Sequence, residues 1–151
     1  MHRESPHAFS SSHSFWRWLS LSLVLVIIDQ VSKLKVAFML PLHDRIEVTP
    51  FFDLVHTLNL GAAFSILANA GGWQRHFFTL LGLLVSFFLI FLLWRGVRSR
   101  LETLAYVFIV AGALGNVVDR LRIGAVIDFL DFHWQGWHWP AFNSADVFIV
   151  M

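Results

Sequence analysis

The chain has 151 residues, of which 57% are hydrophobic and only 14% charged, with a formal net charge of +1. Soluble domains average about 45–50% apolar and about 25% charged residues, so this composition describes a membrane protein rather than a water-soluble core. The weak net charge argues against a nucleic-acid partner. The absence of cysteine excludes thiol nucleophiles, thiolate metal sites and disulfides.

Residues 1–14, MHRESPHAFSSSHS, are polar and read as a disordered tail ahead of one membrane domain over 15–151. The first span is expected at about 15–40. It is too long for a secretory leader, and it carries Asp29 and Lys33. Residues 41–74 mix polar, β-branched and glycine residues. Their stretch IEVTPFFDLVHTLN predicts short, edge-like strands. A second span is expected at about 76–94, which holds no Asp, Glu, Lys or Arg. The third is expected at about 101–118, with small residues Ala111, Gly112, Ala113 and Gly115 that let helices approach closely. Residues 120–142 read as non-helical, with GAVIDFLDF as a strand. A fourth apolar run opens at about 144–151 and breaks off after VFIVM.

Arg95, Arg98 and Arg100 sit between the second and third spans. The positive-inside rule makes that loop cytoplasmic, and with it the amino terminus. Helical rise then places Asp29 about 21 Å from Phe15, in the outer part of a ~30 Å hydrocarbon core. Asp119 falls about 27 Å from Leu101, at the outer interface. Asp128 and Asp146 belong to outer elements, so four acids from separate segments share one depth. Acids are costly in hydrocarbon and mark functional sites there. Trp16, Trp18 and Trp94 flank the inner ends, and Trp73, Trp134, Trp137 and Trp139 the outer ends, as interfacial tryptophans do.

Each constellation has a structural and a functional reading. Asp29 and Lys33, at i and i+4, suit an ion pair on one helix face that orients a neighbour. Asn59-Leu-Gly61-Ala-Ala-Phe-Ser65 is a turn, or an amide and backbone N–H groups brought near a peptide. Ser65 as a nucleophile would need an adjacent base. Asp119 and Arg120 are adjacent, face different directions and need separate partners, or else cap the third helix. Asp128 and Asp146 have no base beside them in sequence. Brought together in a dry site they would share one proton, as an acid and base for peptide hydrolysis without a metal. Asp131, three residues on from Asp128, would face the other side of a strand. His133 and His138 could bind a metal, but no HExxH is present and no metal or other cofactor is expected.

Five motifs in order, DQVSK at 29–33, NLGAAFS at 59–65, GNVVDR at 115–120, VIDF at 126–129 and FNSAD at 142–146, resemble those of the lipoprotein signal peptidases, also called signal peptidase II. The resemblance implies a mainly α, four-transmembrane-helix bundle with a small extracytoplasmic β-like cradle, in the bacterial inner membrane. It implies an intramembrane aspartic endopeptidase that cuts prolipoproteins before a diacylglyceryl-modified cysteine and is blocked by globomycin. It carries catalysis onto Asp128 and Asp146. Peptide contact or dyad support falls on Asn59, Gly61, Asn116, Arg120 and Asn143, and site scaffolding on Asp29, Lys33 and Asp119. Lipidated precursors and membrane lipids are the implied partners, with the chain a monomer. Two other classes compete with this reading: an ion-coupled transporter or channel subunit, and a non-enzymatic membrane assembly factor that would tolerate Asp128→Asn. Against the first, the acids cluster at one face and no inverted repeat is visible.

Overall fold

The computed structural model describes residues 12–61, 71–97 and 99–151. Of the disordered tail expected over residues 1–14, residues 1–11 lie outside the described residues, as does the Ser65 candidate, whereas residues 12–14 are helical and open the first helix, which corrects that expectation. The elements run α1 (Ser12–Met39), β1 (Arg45–Thr49), β2 (Phe52–Asn59), α2 (Trp73–Arg95), α3 (Arg100–Ile123), β3 (Val126–Trp134), β4 (Trp137–His138) and α4 (Ser144–Val150). The protein is mostly helical, with a small antiparallel sheet in the order β1-β2-β3-β4.

Among the described residues, two helices, α2 and α3, are long and apolar enough to cross a membrane. Helix α2 shows the pattern expected of a lipid-facing span: Phe87 is 75% exposed, and Leu80, Leu84 and Phe88 are also exposed. Helix α1 is long enough at 28 residues, and its ionisable Asp29 and Lys33 are fully buried against the other helices. The third helix continues past the span expected from sequence. Residues 120–123 are helical, and α3 stops only at Gly124, whose positive φ ends it while its N–H bonds Arg120 O. This corrects the reading of 120–142 as wholly non-helical. The periodicity of VVDRLRI was masked by its charges, which Asp119 and Arg120 direct inward.

The small residues of α3 are where the bundle closes. A Cβ on Gly112 would run into Ala145 O of α4, and one on Gly115 would meet the Asp29 carboxylate of α1. On the other face, Gly82 of α2 leaves room for the Val117 side chain. Replacing Gly112 with alanine must therefore push α4 away. We expect Gly112→Ala to lower stability by about 1–3 kcal/mol, read as an earlier thermal transition in detergent.

The sheet sits at one end of the bundle. His56 Nδ1 contacts Leu40 O at the end of α1, and Arg75 at the start of α2 donates to Leu121 O near the end of α3. Both strands expected in IEVTPFFDLVHTLN form, paired antiparallel, with a bulge between Glu47 and Thr49. GAVIDFLDF supplies β3, which pairs with β2 through Asn59↔Val126 and Thr57↔Asp128. Phe142 then bonds Leu130 in both directions, Phe142 N to Leu130 O and Leu130 N to Phe142 O. That bridge lays the segment before α4 along β3.

Candidate active site

Asp128 projects from the buried half of β3 and is 2% exposed. Asp146 is the third residue of α4. The Phe142–Leu130 bridge places Asn143 between them. Its side-chain amide donates to Asp128 Oδ1 at 2.6 Å, and its backbone N–H donates to Asp146 Oδ2 at 3.2 Å. Asn143 also caps α4, its Oδ1 accepting from Asp146 N. A single fully buried residue thus touches both acids and starts the helix that carries one of them.

Each acid has further amide donors. Asn59 Nδ2 donates to Asp128 Oδ2 at 3.1 Å, while Asn59 Oδ1 accepts from Gly61 N. Asn116 Nδ2 donates to Asp146 Oδ1 at 2.9 Å. The two carboxylates differ in setting. Asp146 lies in the first turn of a helix, where N–H groups and the helix dipole favour negative charge. Burial first, and the Asp146 carboxylate second, push the Asp128 carboxyl up to about 7, against the opposing pull of the Asn143 and Asn59 amides and of Lys33. A carboxyl raised this far beside a second carboxylate can hold the one proton that acid–base hydrolysis by a carboxylate pair requires.

Asp29, Lys33 and Asp119 form a buried triad behind this pair. Lys33 Nζ lies 2.9 Å from Asp29 Oδ2, 2.9 Å from Asp119 Oδ2 and 3.0 Å from Asn116 Oδ1. All three ammonium donors are therefore used. The triad acids hold the backbone beside the other two acids. Asp29 Oδ1 accepts from Ala145 N at 2.9 Å and from Ser144 Oγ at 2.6 Å. Asp119 Oδ2 accepts from Ile127 N at 3.3 Å. Ala145 precedes Asp146 and Ile127 precedes Asp128, so each triad acid fixes the residue before one of the pair.

Asp119 and Arg120 diverge as their adjacency predicts. Asp119 turns to Lys33, Gln30 and Arg122. Arg120 donates to Gly61 O at 3.0 Å and lies over the Phe78 ring at 5.3 Å. Its Nε is buried with no hydrogen-bond partner among the described residues. Asp131 faces away from the pair and bonds His138 Nδ1. His133 and His138 stack on each other, and His133 Nε2 sits 3.2 Å from Asp53 Oδ1.

Gln30 carries a role that sequence reading did not assign. Its amide reaches Asp29 Oδ2, Gly115 O and Asp119 Oδ1 at 3.0–3.2 Å, tying α1 to α3. Its place beside Asp29 inside an apolar span was the available signal, since a buried amide in hydrocarbon needs partners.

Asp128, Asp146, Asn59, Gly61, Asn116 and Arg120 all line one cavity of about 500 Å³. Its far walls are Trp139-Pro140-Ala141-Phe142 on the sheet side and Val147, Ile149 and Val150 of α4. A cavity of this size, apolar-walled with a few convergent polar groups, has the character of a binding pocket.

Residues 21–151 match the family model described as signal peptidase (SPase) II. The lipoprotein signal peptidase of Aeromonas hydrophila is 53% identical over 137 residues, covering 89% of this chain and 82% of that protein. The lipoprotein signal peptidase of Janthinobacterium sp. is 49% identical over 138 residues, covering 91% of this chain and 84% of its own. A bacterial membrane enzyme solved by the in meso method at 2.3 Å superposes with a TM-score of 0.78 at 29% identity, over 99% of this chain and 85% of its own.

Proposed function

Because this chain belongs to the signal peptidase II family, whose members are aspartic peptidases, we propose that it removes the signal peptide from diacylglyceryl-modified prolipoproteins with Asp128 and Asp146 as its catalytic dyad. One observation carries the residue assignment: Asn143 hydrogen-bonds both acids on the wall of one apolar cavity. The membership decides for an enzyme over a transporter or an assembly factor. The reading includes four spans in the inner membrane, a cytoplasmic amino terminus and a pocket at the outer face. The buried ionisable residues of α1 and the clustering of the acids at the sheet end of the bundle support that arrangement.

The chemistry follows from the two settings. Charged Asp146 takes a proton from a water whose oxygen attacks the scissile carbonyl carbon, and neutral Asp128 gives its proton to the carbonyl oxygen. The resulting diol collapses as the C–N bond breaks. The proton on Asp146 passes to the leaving nitrogen, and a diol proton returns to Asp128. The Asn59 and Asn143 amides hold Asp128 in place throughout. The substrate enters sideways from lipid, where its acyl chains remain.

Both features are tested by cleavage of matched lipidated and unlipidated precursors across pH in liposomes. The lipidated precursor is expected to be strongly preferred, and equal rates on both would sink the lipid-substrate reading. A carboxyl raised to about 7 is neutral below that pH and ionised above it. Cleavage is therefore expected to fall on the alkaline side, by about tenfold per unit above 7. A rate that stays flat to pH 9 would remove Asp128 as the acid.

A further inference from the structure

Beside the dyad cavity lies a second, apolar trough of about 510 Å³ on the sheet. Phe51, Phe132, Trp134 and Trp137 line it, and Trp139 and Phe142 belong to its wall and to the dyad cavity at once. The trough therefore continues the cavity across the face of β3 and β4. Among the described residues that line it there is no Asp, Glu, Lys or Arg, and His133 is the one titratable group.

The trough is built, not incidental. Gln135 and Gly136 both adopt positive φ, the two-residue turn geometry that closes a tight hairpin between β3 and β4. Trp139 N bonds Phe132 O at 2.8 Å and fixes the exit of that hairpin. Phe132 stacks on Phe142, and Trp137 meets Trp139 edge-on. Even so, Trp134 and Trp137 remain 66% and 63% exposed. A contiguous exposed aromatic surface of this kind marks a binding face.

We infer that this trough holds the first residues of the mature lipoprotein, those directly after the lipidated cysteine, as an extended segment of uncharged, proline or aromatic side chains. The inference rests on the signal-peptidase reading and extends it to the other side of the scissile bond. Both walls of the cavity are apolar, and their place sets the direction, because only the α4 wall belongs to the helix bundle. The apolar signal segment lies along the Val147, Ile149 and Val150 wall of α4, on the bundle side of the dyad. The chain beyond the cut then leaves by the opposite end, past Trp139 and Phe142 and into the trough. Aromatic-lined grooves suit extended, proline-containing peptides. Acidic side chains there would lose hydration with no cation among the lining residues to replace it. A bilayer surface is the competing occupant, and the continuity with the dyad cavity through Trp139 and Phe142 favours a single peptide chain.

The test uses the full chain in liposomes with two precursors that are identical through the lipidated cysteine. One continues with alternating proline and phenylalanine, the other with alternating aspartate and serine. We expect kcat/KM for the apolar tail to exceed that for the acidic tail by about tenfold. Trp134→Ala and Trp137→Ala should bring that ratio close to one. Both side chains are mostly exposed, so truncation removes little packing. A parent enzyme that cuts both tails equally, or variants that keep the parent's preference, would overturn the trough and leave the peptidase reading standing. An equal loss on both tails in the variants would make the trough a membrane-surface contact, and that too overturns it. A folded parent that cuts neither precursor refutes the peptidase reading, and the trough assignment falls with it.

Discussion

Asp128→Asn and Asp146→Asn are each expected to reduce cleavage of a lipidated precursor by about a thousandfold or more, while Asp131→Asn cuts close to normally. The first two substitutions keep the shape of the side chain and remove its proton chemistry, and acid–base groups of this kind contribute ~10²–10⁴-fold each. Two acids that share one proton act as a unit, so losing either should cost nearly as much as losing both. Asp131 has the same chemistry three residues along the same strand, yet it bonds His138 and lies outside the cavity. It therefore controls for the effect of neutralising an acid on β3. The measurement is single-turnover cleavage in liposomes, with the thermal transition of each variant showing that it is folded. Near-normal cleavage by either dyad variant would refute the assignment. Loss of activity in Asp131→Asn at unchanged stability would move the chemistry to the hairpin.

Much of this site was legible in the sequence because membrane burial makes polar residues conspicuous. Asp29, Asp119, Asp128 and Asp146 stood out against apolar surroundings; helical rise put the first two at similar depth, and the arginine-set topology put the segments of the other two on the same side. The Asp29–Lys33 spacing gave the ion pair now seen at 2.9 Å. The small residues of α3 marked the contacts at Gly112 and Gly115. What spacing could not give was the long-range wiring. That Asp29 would hold Ala145, and Asp119 would hold Ile127, depends on α1 and α4 both closing on α3. No local period encodes such a meeting. The end of α3 was misjudged for a related reason. DRLR looks like a polar loop until Asp119 and Arg120 are seen to turn into the protein, where tertiary partners override the appearance of the segment.

That wiring makes Lys33 the substitution with the largest expected structural effect. Lys33→Met keeps the length of the stem but removes the cation that Asp29, Asp119 and the Asn116 carbonyl oxygen share. Two fully buried carboxylates would be left with their main counter-charge gone. Breaking a buried pair in this way costs about 3–5 kcal/mol, so we expect a markedly earlier thermal transition. Stability alone does not exhaust the role of the residue. Lys33 accepts no hydrogen bond, so the Asn116 atom facing it must be the oxygen, and the Asn116 NH2 must face Asp146. Lys33 thereby sets which way that amide points. Combining Lys33→Met with Asp29→Asn and Asp119→Asn removes the unpaired charges, and should recover most of the lost stability. It does not restore the constraint on Asn116, so the triple variant should stay slower than the parent at every pH, even where it is fully folded. A stable triple variant with parental kcat would show that the triad is only scaffold and that Asn116 finds its orientation without it.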